Sequence, residues 1–244
     1  MNPVLKYRGG KSREIPHILP YIPKNFHRYI EPFFGGGALF FFLEPTNAII
    51  NDINKKLITF YKQLRNEYPQ MRIQLDKLQK IYEKNQEEYK SLKMIYPNER
   101  VPNKNEALYY HMRDLFNQPS NEFLEGVVYF FINKTAYSGM IRYNNNGEYN
   151  VPFGRYPNFN TKLITEEHSA QLKKAKIFNL DYKMIFDMAD GNDFMFLDPP
   201  YDCVFNDYGN IDMMNGFDEK EHRRLANDFK NLSCPTLMII GKTP

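Results

Sequence analysis

Phe194-Met195-Phe196-Leu197-Asp198-Pro199-Pro200-Tyr201 is the stretch on which the fold turns. Its first four residues read as a strand buried on both faces. An acid, two prolines and an aromatic then end that strand abruptly. Each proline fixes its own φ, lacks an N–H and pushes the residue before it towards extended geometry. The sequence therefore predicts a stiff corner that holds the Asp198 carboxylate and the Tyr201 ring at the carboxyl end of a sheet. Open α/β sheets bind their ligands there. An amine donating to Asp198 and to the Pro199 carbonyl, with its ring stacked on Tyr201, is the kind of group such a corner would hold. An acidic turn with an incidental aromatic reads the same over four residues, so the corner needs support from the rest of the chain.

Working outward, Lys176-Ile177-Phe178-Asn179-Leu180-Asp181-Tyr182 reads as a strand ending in an acid and a ring, a pair suited to the adenine of a nucleoside or to an ordinary acidic loop. After the Pro-Pro corner come a helix from Asp218 to about Asn231 and a last apolar strand, Thr236–Ile240. Far upstream, Tyr29-Ile30-Glu31-Pro32-Phe33-Phe34-Gly35-Gly36-Gly37-Ala38 and the apolar run after it read as strand, glycine-rich turn and helix. Three glycines allow a tight turn with positive φ and leave room for a cofactor against the backbone. No Gly-Lys-Ser/Thr follows, so the turn is not a P-loop. A second short strand from Asn47 ends at Asn51-Asp52. An acid there, about twenty residues after a glycine-rich turn, accepts ribose hydroxyls in nucleoside-binding sheets, or else caps the next helix. Before all of these stands Tyr7-Arg8-Gly9-Gly10-Lys11, a basic-aromatic segment with two glycines.

From Lys55 to about Phe116 the period becomes helical, with Leu57, Phe60, Tyr61, Leu64 and Tyr68 in register and Met71, Leu75, Leu78, Tyr82, Tyr89, Leu92 and Tyr96 continuing it. Pro97 and Pro102 interrupt this pattern, and a further helix runs over Asn105–Phe116. Such helices are too long for a simple crossover between neighbouring strands. The expectation is a discontinuous catalytic domain, residues 1–54 and 166–244, with an inserted helical lobe over 55–165. The insertion includes an apolar helix over Glu122–Ile132. It closes with Arg142-Tyr143-Asn144-Asn145-Asn146-Gly147-Glu148-Tyr149-Asn150 and continues to Arg155-Tyr156, a hairpin signal between polar and aromatic arms. Arginine grips guanine, asparagine grips adenine and planar rings wedge between bases, so this ribbon suits a nucleic-acid groove.

Composition sets the outer limits. The 244 residues carry 42% hydrophobic and 25% charged residues, ordinary for a globular chain with a sizeable core. No signal-like h-region opens the sequence and no run is apolar enough to span a bilayer, so the chain reads as cytosolic. Cys203 and Cys234 offer neither a disulfide framework nor metal-ligand spacing, and five scattered histidines add no metal site. Net charge is +3, unevenly spread: residues 1–165 hold 23 Lys+Arg against 15 Asp+Glu, and residues 166–244 hold 9 against 14. A basic first two-thirds is compatible with a polyanionic partner.

In this order the pieces resemble the Dam-type, class alpha, DNA adenine-N6 methyltransferases across essentially the whole chain. EPFFGGGALFF, RYNNNGEYNVPFGRY and DPPY together carry the resemblance. It implies a Rossmann-like α/β sheet with a helical DNA-recognition lobe, S-adenosylmethionine as methyl donor and double-stranded DNA as substrate. By motif match, Tyr7, Lys11, Glu31, Phe33, Gly35, Asp52, Asp181 and Tyr182 would line the cofactor site. Asp198, Pro199 and Tyr201 would hold a flipped adenine, and Arg142, Asn144, Asn150, Arg155 and Tyr156 would contact DNA. No metal is implied. The resemblance also implies a monomer of bacterial or phage origin, alone or beside a cognate restriction endonuclease. A ribbon like those of GATC-type enzymes implies a short site containing GA. Tyr7 stands where the family often has Trp. The family continues past the fifth strand into an antiparallel hairpin, so a chain stopping at Pro244 is expected to be truncated. RNA-adenine or protein-amide methylation, and a non-catalytic DNA-binding module on the same fold, are the alternatives.

Overall fold

The computed structural model describes residues 1–7, 9–200 and 217–241. Tyr201, and with it the expected stacking platform, lies outside the described residues, as does Cys203. Five short strands, β1 (Tyr29–Glu31), β2 (Ala48–Asn51), β3 (Ala175–Phe178), β4 (Phe194–Leu197) and β5 (Thr236–Met238), form one sheet in the order β3-β2-β1-β4-β5. Every pairing is parallel. Parallel neighbours need covered crossovers, so both faces are buried, and the strands show it: β1, β2 and β4 are buried at every position. Side chains alternate between two cores. Tyr29, Ala48, Ile50, Phe194 and Phe196 enter the larger one, and Ile30, Ile49, Met195 and Leu197 the smaller.

The helices are α1 (Ile15–Ile18), α2 (Ala38–Leu43), α3 (Lys55–Asn66), α4 (Tyr68–Ile95), α5 (Lys104–Asn117), α6 (Glu125–Thr135), α7 (Glu166–Lys173), α8 (Tyr182–Phe186) and α9 (Glu219–Lys230). α8 and α9 back the smaller core through Ile185, Phe186 and Leu225. α2 to α7 share the larger core, and α3 packs on α6 and α7 as well as on β3. The helical pattern read from Lys55 is divided at Glu67, where α3 ends and α4 begins with Pro69 in its first turn. Proline is tolerated there because the first-turn N–H groups have no intrahelical acceptor. α4 outruns its core: Met71, Leu75, Leu78 and Tyr82 are buried, while Met94 and Ile95 are exposed. α6, buried almost all round, carries no amphipathic stripe because helices flank it on several sides. α1, α7 and α8 are short and left no periodic signal. α7 rests instead on a reciprocal cap between Thr165 and His168.

The chain runs from β1 outward to β2 and β3 on one side, and to β4 and β5 on the other. The order therefore reverses between β1 and β4. Glu31 ends β1 and Asp198 directly follows β4, so both acids stand at the mouth of this switch point, where open α/β sheets form their binding crevice. No helix among the described residues is long and apolar enough to cross a membrane.

Candidate active site

Asp198 follows the last residue of β4, and its carboxylate does not stand alone. Lys11 Nζ lies 2.7 Å from Oδ1 and 2.8 Å from Oδ2. The same ammonium donates to the Gly9 carbonyl at 2.7 Å. Lys11 is thus brought to the Asp-Pro-Pro corner, an arrangement that its distance in sequence from Asp198 conceals. Pro199, buried behind Asp198, has no N–H of its own and offers only its carbonyl.

Two further acids crowd this end of the sheet. Glu31 is 3% exposed and accepts the Tyr29 hydroxyl at 2.8 Å. Burial pushes its carboxyl well above the usual range against that hydrogen bond, and the charges of Asp198 and Asp52 add to the rise. Asp52 is 8% exposed; it accepts the Gly35 amide at 2.9 Å and the Asn54 amide at 2.8 Å. Burial raises it to about 6 despite those two amides. Asp52 therefore staples the glycine turn to the start of α3, and the helix cap falls to Asn54, whose side chain accepts the Leu57 amide.

The glycine turn explains its own sequence. Gly35 and Gly37 have φ of +48° and +65°, which a side chain rarely adopts. A Cβ on Gly35 would meet the Tyr7 ring at 2.6 Å, and one on Gly37 the Phe34 ring at 2.5 Å. The room that glycines leave on these sides is filled by the protein's own rings, which places Tyr7 directly against the turn. Asn51, buried at the end of β2, ties the neighbouring loops together. Its amide donates to the Pro32 and Leu180 carbonyls and its oxygen accepts the Leu180 amide. That clamp, not singled out in the sequence, fixes the loops carrying Phe33 and Asp181.

Phe33 and Tyr182 lie with ring centroids 5.3 Å apart, and Phe217 meets Phe33 edge-on at 6.0 Å. Asp181 caps α8 through the Lys183 amide and is gripped on both oxygens by Arg224, at 2.7 and 2.9 Å. Burial opposes its charge, yet the Arg224 fork and the Lys183 amide carry it below the ordinary value. Arg224 also covers the Tyr182 ring at 4.8 Å, a partnership with α9 that spacing did not reveal.

The ribbon lies elsewhere, against the helices. Tyr143 and Tyr149 bridge antiparallel, and Asn144 N–H donates to the Glu148 carbonyl at 2.8 Å. Gly147, at φ +75°, closes the loop as hairpin geometry requires. Asn144 builds the turn: its oxygen accepts the Asn146 and Glu148 amides and its amide donates to Glu148. Arg142 is exposed and donates to Asn150 at 3.2 Å. Arg155 is exposed, with a positive φ, and lies 3.6 Å from Glu106. Lys6 sits over the Tyr156 ring at 4.1 Å, and the Asn133 side chain clamps both backbone groups of Lys6. Beside it, burial and then the Lys6 charge lower the Lys134 ammonium to about 8. These two cations were not singled out by sequence, for each stands alone in its own segment.

Residues 7–241 match the model of the D12 class N6 adenine-specific DNA methyltransferases. The chain belongs to that family. Among its relatives, Type II methyltransferase M.CviBI of Paramecium bursaria Chlorella virus NC1A is 35% identical over 247 residues, covering 100% of this chain and 84% of the relative. Type II methyltransferase M.MjaIII of Methanocaldococcus jannaschii is 33% identical over 253 residues, covering 95% and 80%. DNA adenine methylase of Escherichia coli strain K12 is 31% identical over 202 residues, covering 81% and 64%. The Rossmann-like parallel sheet agrees with this family, and the chain is an enzyme that methylates adenine N6 in DNA. Family membership selects DNA over the RNA and protein-amide alternatives.

Proposed function

We propose that this enzyme transfers a methyl group from S-adenosylmethionine to the exocyclic amine of an adenine flipped out of double-stranded DNA, within one short sequence. One observation carries the reading: the Asp198 carboxylate stands at the switch point between β1 and β4, held by the Lys11 ammonium. The donor set there suits the cofactor. Glu31 and Asp52 are buried acids without a cation among their described contacts, and S-adenosylmethionine carries positive charge. The Phe33 and Tyr182 rings favour a planar base, and Tyr7, Gly35 and Asp181 complete the cofactor side.

Bound there, the cofactor supplies an electrophilic methyl group on a good leaving group. The rest falls to the chain. An adenine amine is a poor nucleophile because its lone pair is delocalised into the ring. Asp198 and the Pro199 carbonyl accept its two hydrogens and draw the nitrogen towards tetrahedral geometry, which localises the lone pair. Positive charge grows on that nitrogen during transfer, so an ionised Asp198 stabilises the transition state more than the ground state. Extruding the base costs a few kcal/mol. Stacking on Tyr201 offsets about 1–3 kcal/mol of that, by analogy with single-strand binders.

The helical segment 55–165 is proposed as the recognition lobe of a catalytic domain made of 1–54 and 166–244. Arg142, Asn150, Arg155 and Tyr156 approach the DNA, while Asn144 holds the turn that presents them. Two relatives are named type II methyltransferases, which favours a sequence-specific enzyme, either orphan or paired with a restriction nuclease. Asp198→Ala tests the centre of the reading. Tritium transfer to duplex DNA should vanish while S-adenosylmethionine still binds, and near-normal turnover would remove Asp198 from the mechanism. Protection of methylated plasmid against a panel of restriction enzymes identifies the site, for which a GA-containing sequence is proposed.

A further inference from the structure

Three carboxyl groups meet at the head of the sheet. Glu31, Asp52 and Asp198 come from the ends of β1, β2 and β4, and burial and mutual repulsion work against charge on all of them at once. The described partners of Glu31 and Asp52 are a hydroxyl and two backbone amides. Only Asp198, among the described contacts of the three, has a cation. The Lys11 side chain that supplies it is 7% exposed, against 21% for Asp198, so the pair is screened little by solvent.

We propose that Lys11 is a positioning residue for methyl transfer: it keeps the Asp198 carboxyl charged against the neighbouring acids Glu31 and Asp52, and it sets the plane in which that carboxylate meets the target amine. The proposal rests on the reading of Asp198 as the amine acceptor. Contact with both oxygens restrains rotation of the carboxylate, and the Gly9 carbonyl anchors the ammonium from the other side. A carboxylate has about four lone-pair sites, so an amine can be accepted with Lys11 in place. The family resemblance put Lys11 beside the cofactor, whereas its described contacts are Asp198 and Gly9. The groups sharing this charge balance are Lys11 from the N-terminal segment, Tyr29 and Glu31 from β1, Asp52 from the turn after β2, Tyr61 from α3, Tyr129 from α6, and Asp198 itself.

Lys11→Met removes the ammonium and keeps its apolar stem. With the full chain and duplex DNA, kcat at pH 7 should fall at least about tenfold, while KM for S-adenosylmethionine stays within about threefold. The acidic limb of the kcat–pH profile should move up by about 1 unit or more, and Lys11→Arg should bring it back. A rise in the S-adenosylmethionine Kd that accounts for the lost kcat/KM would make Lys11 a cofactor ligand and overturn the proposal. An unshifted pH profile would overturn it too. Should the methionine variant fail to fold, carboxyl carbon NMR of the unmodified chain decides the same question: on acidification Asp198 should protonate after Glu31 and Asp52, and protonation before either contradicts the assignment. Asp198→Ala, run in parallel, keeps the two readings apart. Activity in that variant sinks the role of Asp198 itself. A silent Asp198→Ala beside an unshifted Lys11→Met profile sinks only the positioning role.

Discussion

The two ends of the sheet treat their buried acids in opposite ways. At the amino end, Asp193 is wholly buried just ahead of β4, and Arg28, just ahead of β1, holds both of its oxygens at 2.9 and 2.6 Å. The same guanidinium donates to Asp190 and to the Met188 carbonyl. Burial opposes the Asp193 charge, yet Arg28 and the Asp190 amide carry it below the ordinary value. At the carboxyl end, Glu31 and Asp52 are nearly as buried, are held by neutral donors and are pushed up instead. Charge that only braces the scaffold is neutralised in place. At the binding crevice Glu31 and Asp52 have no cation among their described contacts, which is the electrostatic mark of a site that awaits a ligand.

The widest gap between the two ends should appear in a pair of variants. Asp198→Asn keeps the shape of the side chain and an oxygen for the Lys11 ammonium but not the charge, and should cost about 10²–10³ in kcat with a smaller loss of stability than a variant that strands a buried charge outright. Tritium transfer and urea denaturation read the two effects separately, and equal losses in both would erase the distinction between chemistry and scaffold. Arg28→Ala should do the reverse. It strands Asp193 and should destabilise the fold by about 3–5 kcal/mol, while the molecules that remain folded methylate normally.

A third test uses pH. Asp52 sits at about 6 in the folded chain, above its unfolded value, so the native state binds the extra proton and this acid weakens the fold as pH rises through 4 to 6. Relative to the wild type, Asp52→Asn should therefore gain up to about 3 kcal/mol between pH 4 and 7. Asp193 has the opposite sign: its contribution is present above the unfolded value and is lost as pH falls through the lowered one. A stability difference between Asp52→Asn and wild type that ignores pH would count against the contrast. The smallest effect belongs to Glu31→Gln. Burial pushes its carboxyl well above the usual range and so favours the neutral form, and the glutamine oxygen can accept the Tyr29 hydroxyl, so stability should change by less than about 1 kcal/mol. A loss of several kcal/mol would show an ionised Glu31.

Much of the sheet was legible because buried parallel strands leave continuous apolar runs. Phe194–Leu197 forms β4 as read, and the strand expected to reach Ile240 ends at Met238. Short elements were not legible. α8 spans five residues and is set by the Asp181 cap and by packing of Ile185 and Phe186, neither of which has a period. The candidate site was half legible. Asp198, Glu31 and Asp52 announce themselves as acids that end strands, and three glycines announce a turn. What Asn144 does within the chain was not legible: its side chain holds its own hairpin, through contacts that a run of three asparagines does not assign. Asn51 was passed over because a buried clamp looks, in sequence, like any polar residue at a strand end.

By itself the sequence determined the register of acids and glycines against strands, because side-chain period and turn chemistry are local. That was enough to place Asp198 at a sheet end and to predict a nucleoside-binding fold. Only the tertiary structure decided which acids share a crevice and which cation serves them. Lys11 and Asp198 are 187 residues apart in the chain and 2.8 Å apart in space. No local rule links them. The N-terminal segment packs on the turn after β1, and β4 lies beside β1, which brings them together; the low dielectric of the buried sheet end then makes that contact count.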